Sequence, residues 1–322
     1  LNSPIWMDTS TFSSVQEMEK LFGWENLTQI TGSRGYERFS GHQAGQIIKG
    51  DFEHVKDQDG NVVKTDVVVN DETKKPNELH RVLLVSNFMT SLLTGKLQPI
   101  EHSDAAGMNL LNVHSLEWEK KYLEFFGLTE EMLGGPVAQF EDKGLVQGAP
   151  ACLYKGLQID NYFVEKFGFS PDARIIPFTG DNCSSVCGAG LLHDSQVFIS
   201  LGTSDTLLVL LPKDCQISDA ESDYHSNDGK LNKSKSKKGT KKWRTLLQFG
   251  HIFPHPLLAG RFFLMLCYKN GDICRKQVLK ESAIPCMTPR KEEWQAFNDM
   301  VLTTEAGNGG YLGVFTVDDE II

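Results

Sequence analysis

The sequence predicts an α/β protein, and three observations carry that reading. Short β-type runs, Gln196–Leu201 and Thr206–Leu211 among them, recur between stretches whose apolar residues repeat at helical spacing. Glycines stand where those helical stretches should stop. Over 322 residues, 40% apolar and 23% charged is an ordinary globular balance, which excludes wholesale disorder and collagen-like repeats.

In chain order, Val15, Met18, Leu21 and Phe22 form one apolar helix face. Ser13 and Gln16 are spaced as a capping box before it, and Gly23 sits at its C-cap. A β run is expected at Arg81–Val85. Ser86 then opens a helix with Phe88, Met89, Leu92 and Leu93 as its apolar face and Gly95 at its end. A third helix places Ile159, Tyr162, Phe163 and Phe167 on one face before Gly168. Further β runs are read at Arg174–Phe178, Gln196–Leu201 and Thr206–Leu211.

Two stretches break the pattern. Asp51–Glu78 is polar around an Asp59-Gly60 turn signal and reads as a loop excursion or an added hairpin. Asp214–Gln248 is acidic in its first half and basic from Lys230 to Arg244, with Ser, Asn and Gly between. Such a stretch cannot bury a core, so a disordered, charge-segregated surface insert is expected; a nuclear address or nucleic-acid contact is the alternative.

Charge and cysteine usage narrow the function classes. A net charge of −10 argues against a polyanion binder for the chain as a whole. No apolar run approaches the ~20 residues that cross a bilayer, and the first residues lack a secretion-signal pattern. The seven cysteines are scattered without a Cys-x-x-Cys, which points to reduced thiols in a cytoplasmic protein and to no protein-built metal site. A start at Leu1 and an end without tail-like composition suggest a piece of a longer product.

Candidate chemistry concentrates in Arg174–Leu211. The run Arg174–Phe178 leads into Thr179-Gly180-Asp181-Asn182 and then small residues of a helix. That arrangement places Asp181 at a strand's carboxyl end beside a helix N-terminus, where α/β folds bind ligands. The competing reading is that Asp181 or Asn182 merely caps the helix. Farther on, Gly202-Thr203-Ser204 joins two β runs in a tight hairpin whose N–H groups and hydroxyls suit phosphate oxygens. An ordinary polar hairpin is the alternative there, and no Walker-type loop occurs.

These two stretches in this order resemble the FGGY carbohydrate kinases of the actin-like ATPase superfamily, and among them the eukaryotic xylulose kinases. Further matching segments are Trp6-Met7-Asp8, Thr31–Phe39, Ser103–Leu110, Cys267–Gly271 and Gly307–Gly310, in family order over nearly the whole chain. The resemblance implies an actin-like/ribonuclease H-like two-domain sugar kinase fold, truncated at both ends. Residues 1–193 match the later part of the sugar-binding domain. Residues 194–322 match the early part of the nucleotide-binding domain, interrupted by the insert 214–248.

The resemblance also implies roles. Asp181 matches the catalytic base, Asn182 its neighbour in the sugar site, and Arg38 an arginine that holds sugar hydroxyls. Gly202, Thr203 and Ser204 match a phosphate-binding turn, and Trp294 a tryptophan against the nucleotide. Taken alone, Arg38 could equally be a surface ion pair and Trp294 half-buried packing. The implied reaction converts D-xylulose and ATP to D-xylulose 5-phosphate and ADP, with Mg²⁺ held largely by phosphate oxygens and water.

Departures from the family pattern matter as well. Its Asp-x-Ser/Thr-Thr-Gln strand–turn and Gln-Gln-His-Gly motif are missing, and Gly309-Gly310 does not match the position of its adenosine-seating Gly-Gly. Both inserts are longer than the pattern, and Asp272 and Cys274 depart from it. Two rival functions follow: a kinase for another sugar or polyol, and a non-catalytic remnant serving as a sugar-binding or scaffolding protein.

Overall fold

A computed structural model of the chain describes residues 9–49, 80–136, 156–194, 196–213, 250–281, 291–311 and 316–317. The stretches 51–78 and 214–248 lie outside the described residues, as does Trp6-Met7-Asp8. The chain divides into two compact units, Leu1–Gln196 with Leu210–Leu264, and Val197–Val209 with Met265–Ile322.

Unit 1 is mainly helical. It runs α1 (Phe12–Phe22), α2 (Trp24–Thr31), α3 (Ser40–Lys49), α4 (Val85–Thr94), α5 (His102–Ala106), β1 (Leu111–Asn112), β2 (Glu117–Trp118), α6 (Lys120–Phe126) and α7 (Glu130–Leu133). After these come β3 (Leu157–Gln158), α8 (Asn161–Phe167), β4 (Arg174–Ile175) and α9 (Asp181–Gly188). Strands β1 and β2 pair antiparallel, as do β3 and β4. The core gathers Met18, Leu27, Ile100, Met108, Leu110, Tyr122 and Phe126, all fully buried. Helix α3 approaches α6 closely enough that a Cβ at Gly45 would meet the Phe126 ring at 2.4 Å. Later in the unit come β7 (His251–Pro254) and the first part of β8 (Phe262–Tyr268), which lie side by side. Unit 2 holds the hairpin of β5 (Val197–Leu201) and β6 (Asp205–Leu210), the far end of β8, α10 (Asp272–Glu281) and α11 (Lys291–Leu302).

Several local expectations change on folding. Arg81–Val85 is not a strand; Val85 already belongs to α4, and Val82 N donates to the Met132 carbonyl at 2.9 Å. The β run expected at Arg174–Phe178 is reduced to Arg174–Ile175. The Ser13–Gln16 capping box is not used. Helix α1 starts two residues earlier than that box implies, at Phe12, and the hydroxyl of its N-cap Thr11 donates instead to the Glu37 carbonyl.

Helix α4 shows the largest reversal. Its buried face is polar, formed by Asn87, Thr90, Ser91 and Thr94, while Phe88 and Leu92 are exposed. Burying hydroxyls is tolerable because each finds a carbonyl one turn back: Thr90 on Ser86, Ser91 on Asn87, Thr94 on Thr90. Ser86 is not the N-cap either; the Asn87 side chain accepts from Leu84 N at 2.7 Å. Helix α8 likewise buries none of its own residues. Tyr162 and Phe167 are exposed, and Ile159, buried, lies before the helix. The terminal glycines do act as read: Gly95 and Gly168 both take the left-handed conformation, which an L side chain rarely adopts.

Candidate functional site

The Thr179–Asn182 segment is built onto the polar face of α4 and the head of α5. Gly180 is the N-cap of α9 and Asp181 its first helical residue. Ahead of the turn, Phe178 N donates to the buried Thr90 hydroxyl at 3.0 Å. Beside it, the Thr179 and Ser103 hydroxyls are 3.0 Å apart. Glu101 caps α5, accepting from Ser103 N at 3.0 Å and Asp104 N at 3.3 Å, and also accepts a hydrogen bond from the Ser103 hydroxyl. Behind the turn lies Asp104, whose carboxyl receives the Ser86 hydroxyl. A Cβ at Gly180 would stand 3.0 Å from Asp104 Oδ1, so glycine is what lets the turn rest on that carboxyl.

Burial sets the electrostatics of this corner. Removal from water pushes the Asp104 carboxyl up to about 6; the Ser86 hydrogen bond opposes this, and the charges of Glu101 and Asp181 add to it. Burial likewise raises Glu101, against the hydrogen bonds it accepts from Ser103, Thr179 and Asp104. The buried Cys183 thiol, one turn into α9, is pushed well up for the same reason. Asp181, by contrast, is exposed. Its Oδ1 accepts from Asn182 N at 2.8 Å and Asn182 Nδ2 at 3.3 Å, and among the described residues its Oδ2 has no partner. Asp181 and Asn182 thus present a solvent-facing carboxylate and amide on a turn secured from behind.

Arg38 sits on a separately anchored turn of unit 1. Phe39 N donates to the Tyr36 carbonyl at 3.0 Å. The rings of Tyr36 and Phe39 pack against buried His251, with centroids 4.8 and 5.0 Å away. Upstream, the Asn109 side chain donates to Thr31 Oγ1 at 3.2 Å and to the carbonyls of Ser33 and Arg34 at 3.4 and 3.2 Å. Arg34 itself is held by Glu19 at 2.8 Å. Arg38 is half-buried within this framework.

In unit 2, Gly202, Thr203 and Ser204 form the three-residue loop of the β5–β6 hairpin, closed by the Leu201–Asp205 pair. Thr203 is exposed. The turn leans on α10: Arg275 donates to both carboxylate oxygens of Asp205 at 2.7 Å and to the Gly202 carbonyl at 2.7 Å. Trp294, half-buried on α11, meets Phe297 edge to face with centroids 5.8 Å apart. Sequence reasoning assigned no role to Asp104, Thr90, Asp205 or Arg275. Asp104 lay within a matching segment, but nothing local marked it as the support of a turn about 75 residues downstream.

No three His, Cys, Asp or Glu side chains among the described residues group to hold a metal ion. Among them, too, no helix is long and apolar enough to cross a membrane.

Comparison with known proteins gives this geometry its context. Residues 60–149 match the N-terminal domain of the FGGY family of carbohydrate kinases. A xylulose kinase from Rattus norvegicus is 32% identical over 314 residues, which are 97% of this chain and 45% of that protein. The chain therefore spans about half the length of the curated relatives it matches. The solved xylulose kinase of Lactobacillus acidophilus superimposes with a TM-score of 0.60 at 17% identity, over 96% of this chain and 49% of that one. The gluconate kinase of the same organism does so with a TM-score of 0.60 at 16% identity, over 95% and 48%. At such identities the likeness establishes the fold, that of the FGGY sugar kinases, and not the substrate. Over residues 60–149, in its relatives in sequence and in its fold, the chain is similar to the FGGY carbohydrate kinases.

Proposed function

We propose that the protein phosphorylates D-xylulose at its terminal hydroxyl, using Mg·ATP as the second substrate. The observation that carries this reading is the Asp181 carboxylate, solvent-facing and with Oδ2 unpartnered among the described residues, on a turn held rigidly from below. Asp181 takes the hydroxyl proton as the sugar oxygen bonds to the γ-phosphorus and the bond to the β–γ bridging oxygen breaks, releasing ADP. Asn182 and Arg38 orient the sugar. Gly202, Thr203 and Ser204 receive phosphate oxygens through backbone N–H groups and hydroxyls, and Trp294 lies against the nucleotide. In this reading residues 1–193 belong to the sugar-binding domain, residues 194–322 to the nucleotide-binding domain, and the enzyme works in the cytoplasm.

The similarity to xylulose kinases in sequence favours the ketose, while the equal fit to a gluconate kinase keeps other sugars and polyols as the second reading. Steady-state ADP release by the full-length protein with D-xylulose, other ketoses, gluconate and glycerol separates them. The expected outcome is the highest kcat/KM with D-xylulose. A higher value with gluconate or glycerol reassigns the substrate. Absence of any sugar-dependent turnover, with sugar binding retained, favours the non-catalytic reading.

A further inference from the structure

Arg275 lies in the first turn of α10, outside the Gly202–Ser204 loop that it touches. Its Nη1 donates to both oxygens of Asp205 at 2.7 Å, and its Nη2 donates to the Gly202 carbonyl at 2.7 Å. Asp205 is the first residue of β6 and Gly202 the first of the loop, so one guanidinium spans the whole Gly202–Ser204 turn. The head of α10 adds a third tie, Asp272 N donating to the Thr203 carbonyl at 3.2 Å. Gly271 makes the approach possible: a Cβ there would meet Asp205 N at 2.8 Å and the Thr203 carbonyl at 2.9 Å, both backbone atoms.

This arrangement has a chemical consequence. A turn that receives phosphate must offer N–H groups and keep carbonyl oxygens away, because a carbonyl dipole pointed at a phosphate repels it. Here the carbonyls of Gly202 and Thr203 are both engaged by α10. The guanidinium charge, meanwhile, is neutralised by Asp205, both of whose oxygens accept from Nη1, with both partners only about a quarter exposed, at 28% and 27%. A cation committed in this way suits a positioning role better than direct contact with phosphate.

We infer that Arg275 is a positioning residue for nucleotide binding: with Asp205 it clamps the Gly202–Ser204 turn so that its donors, and not its carbonyls, face the phosphates of Mg·ATP. The inference rests on the reading of that turn as the phosphate contact.

The test uses the full-length protein with Arg275→Gln, Arg275→Lys, Asp205→Asn and Thr203→Ala, each checked for folding by circular dichroism. Two quantities are read: the dissociation constant of Mg·ATP by calorimetry, and amide hydrogen exchange across residues 200–206 without nucleotide. Losing a charge-assisted clamp should speed exchange in the turn and weaken Mg·ATP by roughly tenfold to a hundredfold in Arg275→Gln. D-xylulose affinity should not move. Arg275→Lys should behave like Arg275→Gln, since one ammonium cannot grip both Asp205 oxygens and the Gly202 carbonyl. Asp205→Asn should be milder, and the double variant no worse than Arg275→Gln alone, as members of one clamp are not additive. Should Arg275→Gln not fold, Asp205→Asn carries the same test.

Unchanged exchange and unchanged Mg·ATP affinity in folded Arg275→Gln, or full rescue by Lys, overturns the inference. If Thr203→Ala weakens Mg·ATP while Arg275→Gln does not, the phosphate reading stands and the positioning role falls. If exchange quickens but neither Arg275→Gln nor Thr203→Ala weakens Mg·ATP, the clamp survives and the phosphate reading is what fails.

Discussion

The Thr179–Asp181 turn of unit 1 and the Gly202–Ser204 turn of unit 2 are both short, polar and glycine-containing, yet they are held by opposite means. The first rests on buried groups: the Thr90 hydroxyl, the Ser103–Thr179 contact and the Asp104 carboxyl, itself reached by Ser86. The second rests on a partly exposed ion pair and two backbone carbonyls. Buried hydroxyls and carboxyls are costly when left unsatisfied, and a buried carboxyl answers to pH. An Arg–Asp pair with solvent access answers instead to the geometry of its fork. The difference teaches that a turn presenting an exposed carboxylate can be fixed without adding a fixed cation beside it, whereas a turn presenting N–H donors can be fixed by one.

The largest expected effect separates presentation from support. In the full-length protein Asp181→Asn keeps an acceptor for Asn182 N but removes the proton acceptor, so kcat should fall by about 10²–10⁴ while the fold survives. Near-normal kcat in a folded variant would reduce Asp181 to a residue of the helix start, and the two turns would no longer differ in chemistry.

Next comes the pH response of the buried support. Asp104 titrates at about 6 in the folded protein against an ordinary 3.8. The folded state therefore binds this proton more tightly than the unfolded state. Asp104's contribution to stability is intact below about pH 4 and is lost as pH rises towards 6, by about 3 kcal/mol. Asp104→Asn should erase that slope. His251, lowered to about 4, and His42, lowered to about 3, act in the opposite sense, losing stability as pH falls below 6.5. They cancel when parent and variant denaturation are subtracted at each pH. A pH-independent difference would mean that Asp104 supports the turn without titrating.

A smaller effect attends Thr90→Val. The change preserves shape but leaves Phe178 N without its acceptor, which should cost about 1–3 kcal/mol in urea denaturation. A neutral result would show that the turn does not depend on the polar face of α4. Smallest is removal of 214–248, which lies outside the described residues and follows the strand leaving the second turn. As a solvated insert it should leave melting temperature and turnover nearly unchanged. A large loss, or loss of a salt-sensitive nucleic-acid affinity, would give that stretch a role in its own right.

How much was legible in the sequence depends on the distance over which each feature is decided. Helix stops at Gly95 and Gly168 and the hairpin around Gly202–Ser204 were readable, because chain reversal and left-handed φ are set by a few neighbouring residues. The resemblance to the FGGY kinases, too, was readable, because motif order is a property of the sequence itself. The buried face of α4 was not. Its Phe88, Leu92 and Leu93 have helical spacing, but Gln98 offered its carbonyl to Asn87 and its N–H to Ser91, Phe178 offered its N–H to Thr90, and hydrogen bonding decided which side went inward.

The supports of the two turns belong wholly to the tertiary structure. Asp104 meets Gly180 across 76 residues, and Arg275 meets Asp205 across 70. No period or propensity links such positions, since the chain between them contributes only the fold that brings them together. The sequence by itself determined which residues could carry chemistry, Asp181 and the Gly-Thr-Ser turn among them. The packing of α4, α5 and α10 decided what holds those residues in place, because positional rigidity comes from buried and bidentate contacts that exist only once distant segments meet.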